Sequence, residues 1–376
     1  AFSSIITREW LQQSLTELFP TEAVCHVQSY PEDGLLIHGS FKHPLDTNLQ
    51  DILVPHQERP TVTPHGNVSH KGYVDARHSE RITAKTDLYK SPLHDMVVPH
   101  NKENSVLHPR DPRCENQTTS PMQEGAKKFA NPPRPFPKTD LLRAYSWLGA
   151  LFSCIVPKGL EKRVLTIEEG INGVPDAGFN RINPTTSAGL PYKWTKPAGA
   201  AGKRWLFNEH TESDGSTTFS PADKYLRGRL THIHEAYKRG EQVVILAYSN
   251  LKDELRSLKK IKSGATRLFD CLPTDYNIEC RRLFGAFIAA MNQNCTSLPS
   301  SVGIDATGTS FTRLFDRLNR FGGQVFAGDY VGWDGKCDPD CLMLFADMVS
   351  DWCNDGPELR LARRTCMEQM IHLDTL

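Results

Sequence analysis

The chain has no surplus of charge of either sign: 44 Lys and Arg residues stand against 44 Asp and Glu. That excludes a uniformly basic surface of the kind that coats nucleic acid, so any cation-rich surface has to be local. No apolar run is long enough to span a bilayer, and no leader-like pattern opens the sequence, so a soluble chain is expected. The ten cysteines include no C-x-x-C pair and no Cys/His grouping with zinc spacing. This removes zinc-finger and thioredoxin-like classes and fits a reducing, intracellular compartment. Cys337 and Cys341, one helical turn apart, read as buried free thiols. His56, His65, His70 and His78 follow no metal-site spacing and read as scattered surface residues. An initial Ala1 instead of Met fits release from a precursor, or a boundary set arbitrarily.

What is present is enough for two or three packed substructures in 376 residues. Residues 1–80 open with an amphipathic stretch, Trp10, Leu11, Leu15 and Leu18, followed by short strand-like pieces with no recognisable chemistry. Residues 84–113 are extended and proline-punctuated. Their Lys85, Lys90, Arg110 and Arg113 suit either a surface linker or the lining of a channel, and Pro-rich sequence continues to Pro137. The spacing predicts a helix over 139–152 with Leu141, Leu142, Tyr145, Leu148 and Phe152 on one face, and a short helix over 166–173 ended by glycine. Residues 183–192, NPTTSAGLPY, form a loop that is either structural or able to let a nucleic-acid backbone pass close to Thr and Ser hydroxyls. Residues 193–215 are polar and expected to be exposed. A helix is predicted over 222–239 and a buried strand over 242–248.

The densest basic cluster follows, KDELRSLKKIKSGATR at 252–267. It reads either as a solvated hairpin or as a rigid ribbon turning at Ser263 and Gly264. In the second case it would present Arg256, Lys260, Lys262 and Arg267 to a triphosphate. Asp275 is expected to cap a helix to about Asn292, with Ile278, Leu283, Phe284, Phe287 and Met291 buried. A second helix over 309–321 carries Phe311, Leu314, Phe315 and Leu318.

Everything leads to QVFAGDYVGWDGKCD at 324–338. Val325, Phe326 and Ala327 read as the buried end of a strand, and Gly328 and Gly332 allow a close approach and a sharp turn. Asp338 reads as an N-cap with Pro339 at the first helical position and Cys341, Phe345, Met348 and Trp352 behind it. Asp329 and Asp334 thus emerge at an acidic strand tip, either an ordinary turn or a site for a hard divalent cation. A last helix is predicted over 357–372.

Four stretches carry a resemblance, in order: KTDLYKSPLHD with SVLHPRDPR, TTSAGLPY, KDELRSLKKIKSGATRLFDCLPTDYNIECRRLFGAF, and GDYVGWDG. Together they resemble the RNA-dependent RNA polymerases of picornavirus-like positive-strand RNA viruses, those of the dicistrovirus and iflavirus kind in particular. They match, in turn, the index-finger segment, the template loop (motif G), motif F and motif A of that family. The resemblance covers about residue 85 to the C-terminus and leaves the first 80 or so unexplained.

The resemblance implies an α+β, right-hand polymerase fold with fingers over 81–275 and the start of the palm over 276–376. Residues 1–80 would be an extension, and the thumb would be absent. It implies that Asp329 ligates the catalytic metal, Mg2+ with Mn2+ as a possible substitute, and that Asp334 recognises the ribose 2′-hydroxyl. Lys252, Arg256, Lys260 and Arg267 would contact the incoming nucleotide's phosphates. Thr186, Ser187, Ala188, Gly189, Pro191 and Tyr192 would guide template RNA. Many relatives have Lys where Ala265 stands, so one phosphate contact is missing or falls to Lys262. No S-G-x-x-x-T and no G-D-D follows, so the sequence is expected to stop within the palm and to be inactive alone. The implied partners are template and product RNA, nucleoside triphosphates and viral replication proteins. The implied place is the host cytoplasm, at membrane-associated replication complexes without direct insertion. The competing class is a non-catalytic module that binds RNA or nucleotides.

Overall fold

In this computed structural model residues 24–30 and 34–40 are described, and then residues 86–375, with breaks at 90, 92, 94–95, 97–101, 116–119, 131–133, 223, 321 and 324–325. The amphipathic stretch from Trp10 to Leu18, the four histidines, Lys85 and Lys90 lie outside the described residues. Strands β1 (Val24–Tyr30) and β2 (Gly34–Ser40) pair antiparallel as a hairpin.

The helices follow local signals closely. In chain order they are α1 (Pro121–Ala130), α2 (Lys138–Ser153), α3 (Ile167–Asn172), α4 (Lys224–Lys238), α5 (Leu258–Lys262), α6 (Thr274–Gln293), α7 (Thr309–Asn319), the single turn α8 (Trp333–Lys336), α9 (Pro339–Cys353) and α10 (Pro357–Ile371). Thr166 and Glu169 form a reciprocal capping box ahead of α3, which ends at Gly173. Asp338 caps α9 by accepting from the Asp340 N–H, with Pro339 at the first helical position.

Helix α6 is the hub. Ile278, Leu283, Phe284 and Phe287 recur at helical spacing and all are buried. Phe287 meets Phe152 of α2 and Trp352 of α9 edge-on, each at 5.3 Å, and Phe345 of α9 stacks on Phe284 at 5.8 Å. Such pairs contribute about 0.5–1.5 kcal/mol each beyond their burial. Arg363 of α10 is fully buried and donates to both Asp355 oxygens, at 2.8 and 2.5 Å, and to the Leu283 carbonyl. Asp275 does not cap α6. The helix starts at Thr274 after Pro273, and Asp275 lies buried against Arg229 of α4 at 3.2 Å. A carboxylate placed beside a buried guanidinium is spent on that charge.

The other strands are short. β4 (Phe207–Thr211) pairs with β5 (Thr217–Pro221), so the stretch expected to be polar and exposed carries a hairpin, with Lys203, Leu206 and Phe207 buried. β6 (Leu246–Leu251) lies between β8 (Leu268–Cys271), antiparallel, and β9 (Asp374–Thr375), parallel. The strand predicted over 242–248 therefore begins later. Val243 and Ile245 are buried, but the Val243 N–H donates to Gln369 Oε1 and its carbonyl accepts from Gln369 Nε2, instead of either pairing with a neighbouring strand. A buried backbone group needs a partner of some kind, and here a side chain from α10 supplies it. Helix α7 forms as predicted, yet buries none of its residues: Phe311, Phe315 and Leu318 all remain exposed.

Candidate functional site

The basic ribbon is built around one carboxylate. Strand β7 (Leu255–Ser257) pairs not with a return strand but with β3 (Lys102–Asn104), and the chain then makes the short helix α5 before β8. The hairpin expected at 252–271 is therefore interrupted by a helical turn. Glu254 accepts from Arg267 Nε at 2.6 Å and from its Nη2, pairs with Arg256 at 3.2 Å, and lies 3.8 Å from Lys252 Nζ. The Arg267 guanidinium beside it holds the Glu254 carboxyl below the ordinary glutamate range. Arg256 is largely buried and also donates to the Ala265 carbonyl, so its charge is turned inward. Lys262 pairs with Glu115 at 2.7 Å. Lys260 is exposed, and among the described residues no hydrogen bond or ion pair engages its ammonium.

The extended segment is not a free linker. Thr86 Oγ1 and the Asp87 N–H donate to Asp253, Ser105 Oγ donates to the Lys252 carbonyl, and Thr266 Oγ1 donates to the Val106 carbonyl. Val106, Cys114 and Ile261 close a small core beneath. Arg113 spends its charge inside the segment, on Asp111 and Glu103.

The loop at 183–192 is anchored where β8 passes into α6. The Thr274 N–H and hydroxyl both donate to the Ala188 carbonyl, at 3.0 and 2.8 Å. Gly189 has φ +69, and a Cβ there would lie 2.2 Å from the Leu272 carbonyl oxygen. Of the six residues expected to guide a template, only Thr186 and Ser187 expose their side chains. Ala188, Gly189, Pro191 and Tyr192 are buried and hold the loop in place. Small and ring-shaped residues that suit a tight loop suit its packing equally well.

The acidic turn departs most from expectation. No strand forms at 326–330, and Phe326 is 98% exposed. A strand exists only by pairing, and none of the described residues pairs with this stretch. Asp329 is exposed, and among the described residues no hydrogen bond or ion pair engages its carboxylate. Asp334, by contrast, is engaged: Lys128 Nζ of α1 donates to its Oδ2 and the Gly335 N–H to its Oδ1 at 3.1 Å. Burial alone would raise its pKa, and Lys128 with the Gly335 N–H more than reverses that, leaving the carboxyl below its ordinary range. Cys337 precedes the α9 cap instead of lying on the helix; it and Cys341 are half-buried thiols whose pKa burial pushes up.

Helix α1, embedded in the Pro-rich sequence that runs to Pro137, joins the two halves. Gly125 lies against β8 so closely that a Cβ would meet Leu268 Cγ at 2.6 Å and the Thr266 carbonyl oxygen at 2.8 Å. At its other end, a Cβ on Gly335 would lie 2.7 Å from the Lys128 carbonyl oxygen. Arg267, held charged chiefly by Glu254, also feels the Asp334 carboxylate. Ribbon and Asp334 are thus brought together across α1, and the loop at 183–192 is anchored just beyond the ribbon. Among the described residues no three His, Cys, Asp or Glu side chains cluster as a metal site would require. Two residues central to this geometry, Glu254 and Lys128, were not singled out from sequence. The only signal for Glu254 is an acid inside a basic run, and for Lys128 there is none.

Residues 92–375 match the family model of the viral RNA-dependent RNA polymerases, and the chain belongs to that family. It is 29% identical to the genome polyprotein of rice tungro spherical virus (strain A) over 99% of its own length and 10% of that polyprotein's. It is 26% identical to the genome polyprotein of deformed wing virus over 75% of its length and 10% of that polyprotein's. The solved RNA-dependent RNA polymerase of a sicinivirus superposes with a TM-score of 0.61 at 23% identity, over 85% of this chain and 58% of that one. The fold is therefore the right-hand fold of a viral polymerase, of which this chain spans part, with mixed helices and strands. The likeness to the rice virus reaches into the first 80 residues, where the four motifs carry none, and it extends to plant as well as insect viruses.

Proposed function

We propose that this chain forms the fingers (81–275) and the first part of the palm (276–376) of an RNA-directed RNA polymerase that copies a positive-strand viral genome. Residues 1–80 are an N-terminal extension of that unit. The observation that supports this best is that the cationic ribbon and Asp334, distant in sequence, are fixed against the same helix, with the template loop anchored just past the ribbon at the start of α6.

In this reading the free ammonium of Lys260 and the outer face of Arg267 bind the triphosphate and neutralise charge that grows on it during transfer. Arg256 and Lys252 act through Glu254, holding Arg267 in place. Thr186 and Ser187 contact template phosphates, and the buried residues 188–192 set their position. Asp334 accepts from the ribose 2′-hydroxyl, so that a deoxyribose leaves a polar group unpaired. Asp329 is open and unengaged, which fits an Mg2+ or Mn2+ ion that takes one or two carboxylates and otherwise waters and phosphate oxygens. When bound, such ions lower the pKa of the attacking 3′-hydroxyl and stabilise the leaving pyrophosphate. A two-metal site needs more carboxylates than the described residues bring together.

Primer extension tests this. In the polymerase that carries this chain, Asp329→Asn is expected to abolish extension on a homopolymer template with Mg2+ or Mn2+ while RNA retention on filters persists. The 376-residue chain by itself is expected to give no product. Undiminished extension by Asp329→Asn overturns the metal assignment. RNA and nucleotide binding with no extension by the unaltered polymerase would instead favour a non-catalytic module. No described helix is long and apolar enough to cross a membrane, so attachment to membrane-bound replication complexes in the host cytoplasm would run through viral replication proteins.

A further inference from the structure

We infer that Lys128, on the last turn of α1, is a positioning residue for nucleotide selection, holding Asp334 in the orientation in which it reads the sugar. The inference rests on the proposed role of Asp334 as ribose acceptor. Both carboxylate oxygens of Asp334 are held, Oδ2 by Lys128 Nζ and Oδ1 by the Gly335 N–H. An ionised carboxylate has about four lone-pair sites, so two held sites fix its plane and leave others for an incoming hydroxyl. The two sides of the pair differ in access. The Asp334 side chain is 58% exposed, open to a ligand, whereas Lys128 is 22% exposed and lies beneath it.

Lys128 is itself held. Its ammonium lies 4.6 Å from the centre of the Phe129 ring, and its backbone carbonyl is in close contact with Gly335. Helix α1 cannot drift, because Gly125 is seated against the β8 backbone. The position of the ammonium is therefore set from the ribbon that carries Arg267, and the distance between phosphate-binding and sugar-reading groups passes through α1. A fixed acceptor discriminates because water cannot easily replace the missing 2′-hydroxyl, whereas a carboxylate free to rotate can turn to solvent. As a stabilising contact alone, a partly exposed ion pair contributes little, because solvent screens it. Its loss should therefore leave the fold intact while changing selection.

The test is competition between ribonucleotides and deoxyribonucleotides in primer extension by the polymerase carrying this chain, with melting curves run alongside. Lys128→Met is expected to lower the preference for ribonucleotides about three- to tenfold, the range for losing one charged hydrogen bond at an accessible site. kcat for the matched ribonucleotide should be nearly unchanged and its KM raised. Lys128→Arg, which keeps the charge, should keep the preference. Lys128→Met combined with Asp334→Asn should lose no more than Asp334→Asn alone. If Asp334→Asn loses the preference and Lys128→Met does not, or if the two losses add, the positioning role is overturned while the reading of Asp334 stands. If Asp334→Asn itself keeps the preference, the reading of Asp334 fails and the inference falls with it.

Discussion

In the ribbon at 252–271, three cations converge on Glu254, which lies within their own stretch, and an extended segment is bonded along the whole unit. In the turn at 326–335 residues 326–330 join no strand, Phe326 and Asp329 are exposed, and Asp334 takes its fixed position from α1. Both regions carry charges assigned to the same reaction, yet only the ribbon carries its own means of orientation. Like charges held close together repel, and an opposite charge between them offsets that repulsion, which is what Glu254 does within the ribbon. A single acid in a turn meets no such repulsion and can be positioned from outside.

Breaking the ribbon should therefore cost most. Glu254→Ala removes the shared partner of Lys252, Arg256 and Arg267 and leaves Arg256 largely buried with its charge uncompensated. A loss of about 2–3 kcal/mol in urea unfolding is expected, somewhat below that for a fully buried pair. The same carboxylate predicts a pH dependence. Its folded pKa is depressed below the unfolded value, so its stabilisation is complete above the ordinary glutamate range and is lost as pH falls through the depressed value. Glu254→Gln should flatten that acid limb of the stability profile.

The link between the regions comes next. Gly125→Val forces a side chain into the Thr266 carbonyl and Leu268, and about 2 kcal/mol of destabilisation is expected from overpacking against backbone. Because α1 also carries Lys128, the variant should lose ribonucleotide preference as well, which thermal melts and extension assays on one preparation would resolve. The smallest effect belongs to the turn. Phe326→Ser, at a position 98% exposed, should change unfolding free energy by less than about 0.5 kcal/mol. A large loss there would mean that Phe326 packs in solution, as a strand would have it.

Much of the helical part was legible. The short helix over 166–173 ended by Gly173, the Asp338–Pro339 start and the stripe Ile278, Leu283, Phe284 and Phe287 all rest on local or periodic signals, and each is present in the fold. Periodicity did not tell which stripe is covered: Phe311, Phe315 and Leu318 of α7 follow the same pattern and are exposed. The template loop was legible as a loop, but not the division between exposed Thr186 and Ser187 and buried 188–192. The role of Asp275 was misread because an acid at a helix start serves equally as a cap or as the partner of a guanidinium from another helix.

The sequence by itself determined the longer periodic helices, the Asp338 cap and the order of the motifs, because a helix closes its hydrogen bonds within a few residues. Tertiary structure alone decided whether apolar residues at 243 and 326 joined strands, since a ladder needs a partner from elsewhere in the chain. It also decided which counter-charge each ion of the site received. Lys128 and Asp334 lie 206 positions apart, and only the seating of α1 on β8 brings them together, because charge pairing depends on distance in space and carries no local pattern.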